Sequence, residues 1–194
     1  GHILNMKEIL RNLLEEAQSK NNLSKMNFVK SILGGLMIAI ASYIYLSVGG
    51  IVGAIIFPLA TDYIKYEFKL FTGSVGYIKS KNDIKDNFII LIGNIIGACG
   101  ILAFPHAAAL SLVSAKIAVP LYLVFLKGIV CGIFIYSAVS SFKRNKDYMV
   151  PVCVTGFILF GGEHCIADLC YALAAGVLSI CLLYTSPSPR DSTS

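Results

Sequence analysis

Apolar residues run through most of this chain in long blocks, and the polar positions fall in short clusters between them. From Met6 to Lys20, Ile9, Leu10, Leu13, Leu14 and Ala17 recur at helical spacing, with Lys7, Glu8, Arg11, Glu15 and Glu16 between them. That pattern predicts an amphipathic helix lying on a membrane face or against a bundle. Asn21, Asn22 and Ser24 are expected to break it, and Gly1 to Asn5 read as tag-like residues before a methionine. Phe28 to Val48 is then a first apolar span, about twenty residues and long enough to cross a bilayer. Its Gly34-Gly35 pair, Ala39, Ala41 and Ser42 are the small residues that let membrane helices approach closely, and Gly49-Gly50 predicts a tight turn.

The block 50–78 starts apolar, meets Pro58, and then reads TDYIKYEFKLFTGSVGYI. Asp62, Lys65, Glu67 and Lys69 would fall on several faces of a continuous helix, so they cannot share one buried seam. Either the middle is unwound around a wet cavity, or Asp62 pairs with Lys65 and Glu67 with a neighbour. Pro58, Gly73 and Gly76 bracket the charges and favour a broken helix. A polar loop over 79–87 carries Lys79, Lys81 and Lys85. Phe88 to Phe104 is a third span with Gly93 and Gly97 at four-residue spacing, and Pro105 to Ser114 is expected to be a loop. A fourth span lies within 115–142, entered past Lys116 and Pro120 and containing Lys127, which is expected to pair within the bundle with an acid of segment two. After Lys143, Arg144 and Lys146, a fifth, glycine-interrupted segment runs from Tyr148 to Leu183.

The centre of that fifth segment, FILFGGEHCIAD over 157–168, sets Gly161, Gly162, Glu163 and His164 inside an otherwise apolar run. Ionisable residues at membrane depth are costly and mark a site or a pathway. A paired glycine releases the backbone there only where it is buried in protein or lines a wet cavity. The stretch therefore reads as a second broken helix that presents a histidine; a packed helix whose histidine bonds a neighbouring carbonyl is the plainer alternative.

Composition agrees with the pattern. The chain is 56% hydrophobic and 14% charged, against about 25% charged in soluble domains, which identifies an integral membrane protein. The net charge of +5 sits in loop clusters, a topology signal and not a nucleic-acid footprint. The basic residues gather in the N-terminal stretch, the loop after segment two and the loop after segment four, so the amino terminus is expected to be cytoplasmic, in the inner membrane. No signal peptide is expected, since the first stretch is charged and amphipathic and lacks a short apolar core with a small-residue cleavage site. The six cysteines lie in apolar runs at irregular spacing and read as small core residues, without a disulfide framework. No metal or other cofactor is expected: Glu163-His164 lacks the second histidine of an HExxH site, and His106 falls in an expected loop with no visible partner. The tail Tyr184 to Ser194, YTSPSPRDSTS, changes composition abruptly and is similar to a translated sequencing-adapter tail. The expectation is a gene product truncated before a sixth span, with a native disordered tail as the alternative. The resulting division is 1–27 for the tag-like residues and amphipathic helix, 28–183 for the membrane domain, and 184–194 for the tail.

Two interrupted segments separated by two plain spans point to a midplane site in an inverted-repeat transporter. Four stretches carry a resemblance to the formate/nitrite transporter family: Leu70-Phe71-Thr72-Gly73, Gly93-Asn94-Ile95-Ile96-Gly97-Ala98, Lys116 followed by Gly128-Ile129-Val130-Cys131, and Gly162-Glu163-His164-Cys165-Ile166-Ala167 with Phe157 ahead of it. The resemblance implies an all-α, aquaporin-like helical bundle with two broken helices, five of six expected membrane segments being present. It implies a homopentamer in the lipid bilayer with a pore through each protomer for formate, nitrite or hydrosulfide, with formate the default substrate. In that pore Leu70 and Phe71 would form the cytoplasmic constriction and Phe57 and Phe157 the outer one. Thr72 and His164 would meet between them, Glu163 would stand beside the histidine, and Lys116 would attract anions in the outer vestibule. For Thr72 the plainer reading is a helix-to-helix hydrogen bond, and for Lys116 it is snorkelling at the interface.

The chain departs from the family pattern at Glu67-Phe68-Lys69, where Gly-Ala and an acid are usual, and at Asp168, where asparagine is usual. Gly132 stands where an asparagine would be expected to bond near the histidine, and Phe57 to Phe71 is one residue short. An anion cannot pass two apolar rings without a large desolvation penalty; a mouth cation and a histidine able to share a proton near neutral pH would lower it. A membrane enzyme or a structural module without transport is the alternative class.

Overall fold

The computed structural model describes residues 2–62 and 68–185, with side chains described at 15, 19, 22–59 and 68–176. Helix α1 runs without interruption from His2 to Val48. The break expected at Asn21, Asn22 and Ser24 does not occur. Asparagine and serine disfavour a helix interior by well under about 1 kcal/mol each, and with no glycine or proline among them the flanking helical segments propagate through. The 47 residues of α1 reach about 70 Å at 1.5 Å per residue, more than twice an apolar bilayer core of about 30 Å. Its apolar span is Asn22–Val48; the side chains of the expected amphipathic face lie mostly outside the described residues.

Gly49 and Gly50 take left-handed φ values of 66° and 55° and turn the chain into α2, Gly50–Asp62. The charges at Lys65 and Glu67, and the side chain of Asp62, lie outside the described residues. Beyond them, 68–70 is non-helical, followed by α3, Phe71–Ser74, and a 3-10 turn, Val75–Tyr77. The second segment is thus a broken helix. Helix α4, Lys81–Ala98, begins earlier than residue 88 because Ser80 and Asp83 form a reciprocal capping box that satisfies two free amides of the first turn. A 3-10 stretch, Cys99–Ala103, ends it.

The expected loop at 105–114 is instead helical: α5 spans Ala107–Ile117. Its alanine and leucine content favours helix, and His106, expected to lack a partner, caps it, Nδ1 accepting the Ala108 N–H at 3.2 Å. Lys116 accordingly sits in the last turn of α5, and the fourth span starts after Pro120 as α6, Leu121–Lys143. Helix α7, Met149–Leu159, and α8, Cys165–Thr185, flank the break of the fifth segment.

Among the described residues three helices are long and apolar enough to cross a membrane, Asn22–Val48, Lys81–Ala103 and Leu121–Lys143, and Gly50–Leu59, Ala107–Ile117, Met149–Leu159 and Cys165–Gly176 are shorter apolar helices. The tightest contact is α1 on α4, where a Cβ added to Gly35 would collide with the Asn94 carbonyl and one on Gly97 with the Ile32 carbonyl. Backbones this close gain dispersion contacts that larger side chains would forbid. Helix α2 packs on α7, α6 on α7 and α5 on α8, so the two broken segments meet at their interruptions.

Candidate functional site

Helix α7 ends because Gly161 adopts φ 71°, with its N–H donating to the Ile158 carbonyl at 2.9 Å and the Gly162 N–H to the Phe157 carbonyl at 2.8 Å. A left-handed glycine of this kind is a common helix stop. The chain then runs non-helically through 162–164 and re-enters helix with His164 at the cap: Nδ1 accepts the Ala167 N–H at 3.2 Å. An accepting Nδ1 leaves the proton of a neutral ring on Nε2. That nitrogen lies 3.1 Å from Thr72 Oγ1, so the ring donates to the hydroxyl and leaves the hydroxyl proton for a further acceptor. His164 is 5% exposed, and the Phe157 ring lies nearly parallel to it, centroids 5.8 Å apart at 17°.

The loop presenting Thr72 is held from α4. Asn94, fully buried, accepts the Phe71 N–H at 2.8 Å through Oδ1 and donates through Nδ2 to the carbonyls of Ser31 at 2.7 Å and Lys69 at 2.9 Å. Every polar atom of the amide is used to join α1, the loop and α4. Ser74 Oγ donates to Asn87 Oδ1 at 2.5 Å, with the Leu70 and Phe71 carbonyls each 3.1 Å from the same hydroxyl. Neither Asn94 nor Asn87 figured among the expected site residues. The signal was present for Asn94, a lone amide inside an apolar span between two small residues, where an unpaired polar group would be costly.

A cavity of about 390 Å³ opens at this junction, and Phe57, Leu70, Thr72, Phe157 and His164 all line it. Phe57 is 3% exposed and joins them despite its short spacing to Phe71. Phe71 does not line the cavity; Phe68, Lys69, Tyr77 and Lys143, not anticipated as site residues, do. Lys143 is held over the Tyr77 ring, 3.2 Å from its centroid, and the Tyr77 hydroxyl meets Ser140 Oγ at 2.8 Å.

On the other side of His164, Lys116 Nζ bonds Glu163 Oε2 at 2.7 Å and Asp168 Oδ1 at 2.9 Å. The lysine therefore ties α5 to the break and to the first turn of α8, and it is an ion-paired residue, not a snorkelling one. Lys127 faces the same loop, its Nζ lying 3.6 Å from where a Cβ on Gly161 would sit; the side chains of the segment-two acids Asp62 and Glu67, with which a pairing was expected, lie outside the described residues. Gly132 is exposed, and a Cβ there would meet nothing within 4 Å. Cys131, Cys153 and Cys170 are buried, as expected of core residues, whereas Cys99 and Cys165 are exposed. Among the described residues no group of histidine, cysteine and carboxylate side chains has the arrangement of a metal site.

An all-helical membrane bundle whose two interrupted helices bring a buried histidine against a threonine, beside a cavity walled by apolar and aromatic side chains, has the build of a membrane channel. Residues 7–185 match the formate/nitrite transporter family, and the chain belongs to that family. Among solved structures it is similar to one described as a pentameric formate channel with formate bound, with a TM-score of 0.72, 22% identity, and coverage of 86% of this chain and 78% of that one. No curated protein matches the chain.

Proposed function

We propose that this protein is a homopentameric channel moving small monoanions, formate first and then nitrite or hydrosulfide, across the inner membrane, with its amino terminus in the cytoplasm. The observation that carries the reading is the Thr72–His164 pair at 3.1 Å, placed where both broken helices stop and where the cavity begins. The Thr72 hydroxyl is free to donate to an anion, and the amino end of α8 adds a positive dipole end at the same place. Both replace hydration that a carboxylate or nitrite loses between apolar rings.

In this reading Leu70, backed by Phe71, narrows the cytoplasmic side, and Phe57 and Phe157 narrow the outer side. Lys69 and Lys143 stand on the cavity's rim and raise the local anion concentration. Lys116 holds the outer mouth with Glu163. The outward face of α6, with Leu121, Tyr122, Phe125, Ile129 and Ile133 exposed, supplies apolar surface for lipid and for neighbouring copies. The positive-inside distribution of lysine and arginine supports the orientation.

The test replaces the ring. His164→Ala should slow formate uptake into liposomes at least about tenfold, the loss of the hydrogen bond of roughly 1.4 kcal/mol that turns the Thr72 hydroxyl proton toward the passing anion. Uptake equal to the parent at every pH would exclude the proposed role.

A further inference from the structure

The mouth beside Lys116 holds an acid that a simple anion-attracting vestibule does not need. One ammonium is bound by two carboxylates, Glu163 at 2.7 Å and Asp168 at 2.9 Å, with side chains 15% and 27% exposed. They are sheltered enough to be weakly screened, yet open to water and protons. Lys127 of α6 also acts on Glu163, and among the described residues it pairs with no carboxylate. Among the described residues the other titratable groups around Asp168 are the thiols of Cys131, Cys165 and Cys170 and the phenol of Tyr171, all uncharged near neutral pH. His164 is the remaining neighbour, and both its nitrogens are engaged, Nδ1 by the Ala167 amide and Nε2 by Thr72. A second ring proton would break the cap on α8.

The charge count decides what the mouth can do. With both carboxylates ionised they balance Lys116 and Lys127, and the mouth offers an anion no net attraction. One proton on the carboxylate pair leaves a unit of positive charge uncompensated, and a monoanion is its complement.

Resting on the channel reading above, we propose that Asp168 couples anion admission to a proton: the Lys116–Glu163–Asp168 cluster binds one proton and one monoanion together. Without Asp168 the same lysines would attract anions at any pH. The proton is held by the carboxylate pair and the anion by the freed ammonium, so the pair of ligands is electrically neutral as it leaves the mouth for the apolar constriction.

The test is uptake of labelled formate by liposomes holding the reconstituted full chain, because a proton and an anion that move together carry no current, with outside pH varied between about 5 and 8, where shared carboxylates change charge, and protein-free vesicles as the baseline. The parent should take up more formate above that baseline as outside pH falls. Asp168→Asn should take up formate roughly fivefold faster than the parent at the alkaline end, the effect of one unit charge at about 4 Å in water, with a flattened profile. Glu163→Gln removes the same charge from the other partner and should flatten the profile equally. Variants that keep the parent's pH profile overturn the proposal and leave the channel reading intact. Loss of uptake in Asp168→Asn beside a transporting parent also overturns it, because the negative charge would then serve to hold the mouth together. A parent that takes up formate no faster than protein-free vesicles at any pH instead refutes the channel reading itself.

Discussion

Replacing Asn94 with alanine removes a side chain that ties the Thr72 loop to two helices. Three hydrogen bonds disappear, from the Phe71 N–H and to the Lys69 and Ser31 carbonyls, at 2.8, 2.9 and 2.7 Å. The Ser31 carbonyl lies inside α1 and keeps helical partners, so its loss is small. The Phe71 amide and the Lys69 carbonyl lie in a non-helical stretch and are left part-buried, at about 1–3 kcal/mol each for an unsatisfied group. The expected destabilisation is therefore about 3 kcal/mol, concentrated on residues 68–72. It should appear as a lower midpoint in thermal unfolding in detergent, and as formate flux reduced more than the population of folded protein explains. Asn94→Asp keeps the acceptor facing Phe71 but turns the donor facing two carbonyls into another acceptor, so it should be no better than alanine in stability. An Asn94→Ala protein within about 0.5 kcal/mol of the parent, with unchanged flux, would refute the reasoning, since a fully buried amide cannot be both essential to the loop and dispensable.

Two further outcomes follow from the same geometry. Thr72→Val keeps the shape of the side chain but leaves the His164 Nε2–H without its acceptor and the anion without its donor, so formate flux should fall about tenfold with assembly unchanged, the value of one hydrogen bond of roughly 1.4 kcal/mol; stopped-flow scattering of loaded liposomes reads this directly. Gly97→Ala would drive a methyl into the Ile32 carbonyl and within 2.6 Å of the Leu36 amide, so α1 and α4 must separate, at about 1–3 kcal/mol of overpacking, visible as a lowered unfolding midpoint in detergent.

The broken helices were legible because breaks depend on local chemistry. Paired glycines at 49–50 and 161–162, and polar residues set in apolar runs, signal the same thing in one dimension as in three. Helix ends were less legible. Asn21 to Ser24 look like a stop, but a weak stop yields to two strong helical flanks, and α1 continues. Pro105 to Ser114 read as a loop and Lys116 as the entry to the fourth span, yet Ala107–Ile117 is a helix that packs on α8 and delivers Lys116 to the break. The Thr72–His164 contact, which joins residues 92 positions apart, came from a family resemblance, since no local periodicity encodes a distance of that kind. The Asn94 clasp and the seat of Lys143 over Tyr77 depend on partners brought together only by folding, and one-dimensional patterns do not contain them.

The central claim is that the junction of the two broken helices conducts small monoanions. The measurement that tests it most directly is swelling of liposomes containing the purified, assembled protein in isosmotic formate, with nitrite and a sugar alongside. The account predicts fast swelling in formate and nitrite, none in the sugar, and loss of the formate response in His164→Ala. An assembled protein that leaves liposomes no more permeable to formate or nitrite than protein-free vesicles would contradict it.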